Sequence, residues 1–443
     1  MFVATPPPFR FGDMDADALD RVVRASRSIA PARYVHWDKL RHLAPPEGYT
    51  HVEWWFAIKL RRDKRMLPLR GNAGERFYYT LPDSVLRLLH YVDQHCAGEV
   101  RMDEVVTGDE GARRTYLVNS LMEEAIRSSQ LEGATTSRQA AKELLQSGRD
   151  PIDRSERMIL NNHRGLTFMR EEMGDRLTPA LILELHRILT EGTLDDPTAA
   201  GRLQTPDDDR VAVHDRDGMR VVHVPPPADE LPDRLQALCD FANAPTDSEP
   251  FIHPVLRAML LHFWLAYDHP FADGNGRTSR ALFYWSMQRC GYWLTEYLSI
   301  SRILREAPAR YMRAFLYSET DEGDTTYFLL HHLEVIERAV AELFAYLRRK
   351  MREVRDVEDL IADGDAFNHR QLALLSDVLR HPERSYTFAA HAAAHRVTHE
   401  TARSDISQLT GRGLLERRRG SRGYRFSAPG DLADRLQRAG APA

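Results

Sequence analysis

Cysteine is scarce in this chain: three in 443 residues, at Cys96, Cys239 and Cys290, none in C-x-x-C spacing. That excludes a zinc ribbon and leaves no disulfide framework, so the expected setting is a reducing cytoplasm. Long apolar runs are missing as well. The longest, AMLLHFWLAY (258–267), is broken by His262 and is far too short to cross a hydrocarbon core of about 30 Å, so no membrane segment is expected. The first twenty residues, MFVATPPPFRFGDMDADALD, carry prolines and acids where a secretory signal needs a basic start and an apolar stretch. Positive charge is not in excess either. Sixty Lys and Arg face 65 Asp and Glu, a formal net charge of −5, which argues against wholesale nucleic-acid binding and leaves room only for a local basic patch. Internal repeats and low-complexity tracts are absent.

What is present is enough apolar material, 43% of residues, for two to four domain cores. Up to about residue 105 the pattern is mixed: Pro6 to Pro8, Pro45 and Pro46 interrupt it, and 37–40 and 51–62 read as short helices with buried tryptophans. Beyond about 113 the period is helical. LVNSLMEEAIRSSQLEG (117–133) puts Leu117, Leu121, Ala125 and Ser128 on one face, with Gly133 as a stop. Further helices are predicted at 154–172, 178–190 (Thr178 as N-cap, Pro179 at the first position), 229–243, 254–268, 277–290, 308–318 and 325–350. One stretch breaks this rhythm. In RVAVHDRDGMRVVHV (210–224), Val211, Val213, Val221, Val222 and Val224 flank Asp217-Gly218, a strong hairpin signal closed by Pro225 to Pro227. A lone two-stranded hairpin is marginal by itself, so it reads as a flap over a site or as a plain surface excursion.

HPFADGNGRTSR (269–280) lies between two strongly apolar helical stretches and carries an unusual density of polar chemistry. A helix starting near Arg277 would aim its free N–H groups and positive dipole end at the ADGNG loop. Gly274 and Gly276 allow close backbone approach and positive φ, which makes the loop a nest for phosphate groups. Arg277 and Arg280, three apart, can fork phosphate oxygens. Asp273 is a hard oxygen ligand suited to Mg²⁺, Asn275 can bind a phosphate or ligand amide, and Phe271 anchors the loop. His269 can take a proton near pH 7. Singly, each has an ordinary reading: a satisfied helix-end histidine, a turn-forming aspartate, a solvated arginine. Their conjunction points to transfer of a phosphorus-containing group from a Mg²⁺-nucleotide.

The segment matches every fixed position of H-x-F-x-[DE]-G-N-G-R-x-x-R, and the chain from about 113 to 345 resembles the Fic (filamentation induced by cAMP) family. The resemblance implies a protein adenylyltransferase that moves AMP from ATP to a Ser, Thr or Tyr hydroxyl of a target protein, and of itself. It implies His269 as general base and Asp273 as Mg²⁺ ligand. Gly274, Asn275, Gly276 and Arg277 would hold the α- and β-phosphates, and Arg280 the γ-phosphate. The hairpin, through Val211, Val213, Val221 and Val222, would dock an extended target segment by strand addition. SSQLEG (128–133) resembles the family's inhibitory pattern [ST]-x-x-x-E-[GN] through Ser128, Glu132 and Gly133. Glu132 would pair with Arg280 and so block a productive ATP pose. The ordinary alternative is a glutamate at a helix end. Where many relatives carry G-x-[FY]-R, this chain has Gly201-Arg202-Leu203-Gln204, without the arginine.

The C-terminal part has its own character. Helices expected at 367–381, 386–397 and 398–411 precede LLERRRGSRGYRF (414–426), two extended arms around a Gly-Ser-Arg-Gly turn. That order resembles a winged helix-turn-helix with 398–411 as its recognition-type helix. Between 395 and 428 eight arginines (396, 403, 412, 417, 418, 419, 422, 425) face three acids, a local excess suited to DNA phosphates or to a protein-docking module. The expected fold is mainly α. It comprises an N-terminal helical region (1–112), a Fic-type domain with a β-hairpin flap (113–350), and a linker with the winged domain (351–443). The partners considered are ATP, a protein hydroxyl, DNA and a second copy of the chain. Rival functions are removal of AMP, transfer of another nucleotide-derived group, and DNA-binding regulation with a Fic domain acting mainly on itself.

Overall fold

The structure, a computed structural model, describes residues 3–8, 15–28, 34–97, 110–210, 212–214, 221–362, 367–380, 384–420, 423–432 and 435–436. The chain forms two compact units, one of Met1–Val100 with Leu117–Val340 and one of Arg101–Tyr116 with Ala341–Ala443. It is mainly helical, and among the described residues its strands form only two-stranded antiparallel pairs.

From the N-terminus, helices α1 (Ala16–Ser28), α2 (Trp37–Leu40) and α3 (His51–Leu60) lead to strands β1 (Arg65–Arg70) and β2 (Arg76–Tyr79), then α4 (Asp83–Val92). Next come α5 (Glu110–Leu131), α6 (Arg138–Ser147), α7 (Arg154–Glu171) and α8 (Pro179–Thr190). The hairpin of β3 (Val213–His214) and β4 (Val221–His223) is followed by α9 (Leu231–Asn243), α10 (Pro254–Asp268) and α11 (Asn275–Arg289). The series closes with α12 (Ile300–Glu306), α13 (Pro308–Thr320) and α14 (Thr326–Ala362). Almost every residue of α10 and α11 is buried, α10 being apolar on nearly every face and α11 mixing buried polar with apolar side chains, so the loop between them is held by a rigid pair.

Within the first unit, the segment before residue 100 is tied to the segment after residue 117 by a buried ionic cluster. Lys59 Nζ lies 2.6 Å from Asp321, and Arg62 Nη1 lies 2.5 Å from Asp321 and 2.9 Å from Asp324, all four side chains closed to solvent. Such charges tolerate burial only because each has its counter-charge in place. Helices α1, α4, α6 and α12 and the β1–β2 hairpin are also additions to the sequence expectation. Pro68 inside β1 disguises that strand, and Pro is admitted there because the strand has one free edge.

In the second unit, helices α15 (His369–Arg380), α16 (Phe388–His395) and α17 (His399–Gly411) precede the antiparallel strands β5 (Glu416–Gly420) and β6 (Gly423–Ser427). Leu375, Val378, Ile406, Leu409, Leu414 and Phe426 build its core. Tyr386 pairs with Phe426 and adds a short third bridge to the hairpin.

Candidate active site

Helix α10 ends at Asp268, and His269 caps it in a left-handed conformation (φ 45°, ψ 55°), its N–H donating to Leu265 O at 3.0 Å. A non-glycine residue in that region carries strain of about 1 kcal/mol or more, and it turns the chain sharply off the helix axis. Phe271 is fully buried and stacks on His186 with ring centroids 3.8 Å apart. The Asn275 amide closes the loop. Its Oδ1 accepts from Phe271 N at 2.9 Å, and its Nδ2 donates to Phe271 O at 2.7 Å and lies 3.2 Å from His269 Nδ1. Asn275 thus faces the loop's backbone and the histidine.

Burial, with the positive charges of His223 and Arg210 nearby, lowers the His269 pKa to about 4, so the ring is neutral at pH 7. His186 is a positioning residue that nothing in the sequence singles out. Its Nδ1 accepts from Gly201 N at 3.0 Å and its Nε2 therefore donates to Asp273 O at 2.8 Å, fixing both tautomer and loop.

Helix α11 begins at Asn275 with Gly274 (φ 83°) as N-cap, and no side chain caps it. Its first-turn N–H groups therefore keep their capacity for an anion. A Cβ at Gly274 would come within 2.7 Å of Thr190 Cγ2, so only glycine fits there in space as well as in φ. Arg277 is buried, with Nη1 donating to Leu189 O at 2.8 Å and Nη2 3.4 Å from Asp273 Oδ2. In this arrangement its guanidinium braces α8 as well as facing the Asp273 carboxylate. The Asp273 side chain is 44% exposed, and its Oδ1 accepts from Gly274 N at 2.5 Å. Among the described residues no cluster of three or more His, Cys, Asp and Glu could hold a metal by itself. One exposed carboxylate beside an anion nest nevertheless fits Mg²⁺, which takes few protein ligands and prefers phosphate and water oxygens.

Arg280 is fully buried and turned toward α5. Nη1 lies 2.8 Å from Glu132 Oε1, while Nε and Nη2 donate to Ser128 Oγ at 3.0 and 2.9 Å and Nη2 reaches Ser128 O at 3.2 Å. Helix α5 ends at Leu131, the Glu132 carboxylate that follows lies over the nest, and Gly133 at φ 99° turns the chain away beyond it. A Cβ on Gly276 would sit 2.2 Å from Glu132 Oε1. The pair joins residues 148 positions apart around one bare glycine.

The flap pairs Val213 with His223 and His214 with Val221. Val221 is half exposed, and Val213 and Val222 are partly buried. Val211 and the Asp217-Gly218 turn lie outside the described residues. Gln204, where the expected arginine is missing, is buried, and its Oε1 accepts from Arg210 Nη1. A guanidinium six residues further along thus reaches this position. The sequence pattern does not identify Arg210, because its role depends on how the loop folds back.

Residues 176–287 match the family described as Fic/DOC. The protein adenylyltransferase Fic of Drosophila willistoni is 44% identical over 70 residues, 16% of this chain and 14% of that protein. The protein of the same description from Nematostella vectensis is 36% identical over 111 residues, 25% of this chain and 23% of that one. These matches span under a quarter of the length of either relative. In fold, the chain is similar to the crystal structure of a Fic family protein from Desulfovibrio desulfuricans G20, with TM-score 0.53 and 19% identity over 80% of this chain and 98% of that one. No helix among the described residues is long and apolar enough to cross a membrane. The loop, α10 and all but the last two residues of α11 lie inside the segment that matches the Fic/DOC family, and over short stretches the chain is similar to protein adenylyltransferase Fic.

Proposed function

We propose that this chain is a protein adenylyltransferase whose catalytic region spans 113–350 and whose resting state is inhibited by Glu132. The observation that carries the reading is the neutral His269 poised beside an uncapped, glycine-lined helix N-terminus. In the reaction, a target Ser, Thr or Tyr oxygen attacks the α-phosphorus of ATP. The hydroxyl proton passes to the His269 imidazole, the new O–P bond forms, and the bond to the departing pyrophosphate breaks. The N–H groups around Gly274 to Arg277 neutralise the α- and β-phosphates, and Arg280 the γ-phosphate. Asp273 would hold a Mg²⁺, which supplies further charge neutralisation on the phosphates. The exposed edge at Val221 supports docking of an extended target segment.

Glu132 occupies the guanidinium that a γ-phosphate needs, which supports the inhibitory reading. The experiment is incubation with labelled ATP, GTP, CTP or UTP and a cell lysate, followed by mass spectrometry, in a Glu132→Gly background. His269→Ala should abolish AMP transfer while nucleotide binding persists. Retained transfer would remove His269 as the base.

A second reading concerns the second unit. Asp405 on α17 is buried against Arg370, with Nε–Oδ2 at 2.8 Å, which leaves Arg403, Arg417, Arg418 and Arg425 facing solvent. Three helices followed by this basic hairpin favour a winged helix-turn-helix that binds DNA. A gel shift across a salt series tests it, and absence of binding at low salt would eliminate it.

A further inference from the structure

The last four carbonyls of an α-helix have no partners within it, and they carry the negative end of its dipole. Helix α10 ends beside the catalytic turn, so its end is unusually consequential. Four consecutive carbonyls there are all met by donors from the flap and its approach. Tyr267 O lies 2.6 Å from His223 Nε2. Asp268 O accepts from Arg210 Nη2 at 2.6 Å and His269 O from Arg210 Nη1 at 2.7 Å. Pro270 O accepts from Gln204 N at 2.9 Å. Arg210 Nε also donates to Pro226 O at 2.8 Å, so one guanidinium ties both stems of the flap to the turn.

The His223 ring has a second contact, Nδ1 to Glu319 Oε2 on α13 at 2.7 Å. A peptide carbonyl and a carboxylate only accept. Both contacts are hydrogen bonds together only when both ring nitrogens carry protons, so the geometry selects the imidazolium.

We propose that Arg210 and His223 are positioning residues, a two-cation clamp from the flap that holds the catalytic turn, and that loss of one proton from His223 loosens it. This rests on the transferase reading given above. Once neutral, the ring keeps one N–H and must give up either Tyr267 O or Glu319. Burial opposes the charge on His223, yet the hydrogen bond and charge of Glu319 and the Tyr267 carbonyl outweigh it and raise the ring's pKa above its usual value.

The charged and titratable groups around it are Glu319 from α13, Tyr267 and Asp268 from α10, His269 from the turn, Arg234 from α9 against Asp268, and Glu75 from the β1–β2 turn. A cavity of about 330 Å³ lined in part by Glu75, Phe77, Val222, His223, Tyr267 and Glu319 provides a path for proton exchange. The sign follows from the raised pKa. The clamp is fully engaged below the ordinary histidine value and is lost as pH rises through the folded one. The same positive charge helps to hold His269 neutral, so flap attachment and base readiness share one proton.

The test uses the full chain carrying Glu132→Gly, with ¹⁵N-labelled histidine and His223→Gln to assign the resonance. Both His223 ring nitrogens should be protonated at pH 6.5, and Glu319→Gln should lower the midpoint by about one pH unit, that is about tenfold in proton affinity. Hydrogen-exchange protection across the β3–β4 pairing should fall through the same midpoint. AMP transfer should show an alkaline limb in kcat at that pH. His223→Gln should lower kcat about tenfold and abolish the limb, and Arg210→Lys, which cannot span two carbonyls and Pro226 O, should lower kcat without moving the limb. A neutral ring at pH 6.5, or an unchanged alkaline limb in His223→Gln, overturns the clamp. If no nucleotide supports transfer, the transferase reading fails, while the ring titration and exchange data still decide whether the clamp forms.

Discussion

Replacing Glu132 with glycine removes the one carboxylate within ion-pair distance of Arg280 among the described residues, 2.8 Å away, and leaves three hydrogen bonds from the guanidinium to Ser128. At that separation and an effective dielectric of about 20, the gross attraction is about 6 kcal/mol. Desolvation of a fully buried guanidinium and a carboxylate that keeps 28% of its side-chain exposure returns most of it. A net pairing of about 1.5–3 kcal/mol remains, equivalent to roughly ten- to a hundredfold in occupancy of Arg280 by a γ-phosphate. Steric relief adds to this, because Glu132 Oε1 stands where even a methyl group on Gly276 could not. Glu132→Gly should therefore raise the initial rate of AMP incorporation from labelled ATP by about ten- to a hundredfold. Glu132→Gln, which keeps the bulk and loses the charge, should fall between. The assay is self-modification and lysate labelling at subsaturating ATP, with circular dichroism to show that both variants fold. Rates equal to wild type within twofold in a folded Glu132→Gly protein would refute the argument, whatever the contact looks like.

Two further outcomes follow, one from the same contact and one from the buried ionic cluster. Ser128→Ala removes the hydroxyl that accepts two hydrogen bonds from Arg280, so it should release transfer less than Glu132→Gly does and add little in the double variant, read in the same labelling assay. Asp321→Asn should lower stability by about 3–5 kcal/mol, read as a shifted urea midpoint, because Lys59 and Arg62 stay buried without their shared counter-charge. Burial works against the Asp321 charge, but Arg62 and Lys59 hold its pKa at about 2. Its contribution is therefore present above the unfolded value of about 4 and lost as pH falls toward 2, a window in which the variant should show a flatter profile.

The helical period of the sequence locates most helices of the first unit to within a few residues; α10 and α11 are long, carry an apolar core face and are bounded by Pro254 and Gly274. The turn from His269 to Arg280 is legible as one unit because its residues lie next to one another. Arg280 and Glu132 could be paired only through resemblance, as their meeting depends on how α5 crosses α11. What the chain conceals are partners set by tertiary path alone. Lys59 and Asp321 are 262 positions apart. His186 looks like any histidine on a helix face, and His223 looks like a strand end until Tyr267 and Glu319 are brought to its two nitrogens. Pro68 and the charged ends of β1 give the opposite of a strand signal, and only its pairing with β2 makes it one.

The bare α-carbon of Gly276 has a consequence for how this site can change. Glu132 leans into the volume that a side chain there would fill, and a phosphate approaching the helix N-terminus needs the same opening. On the proposed reading, regulator and substrate are thus tenants of one vacancy. Any substitution at 276 that expels the first would also shut out the second, so the proposed restraint is open to loss through Glu132 or Ser128 but not by walling off the space where it would be applied.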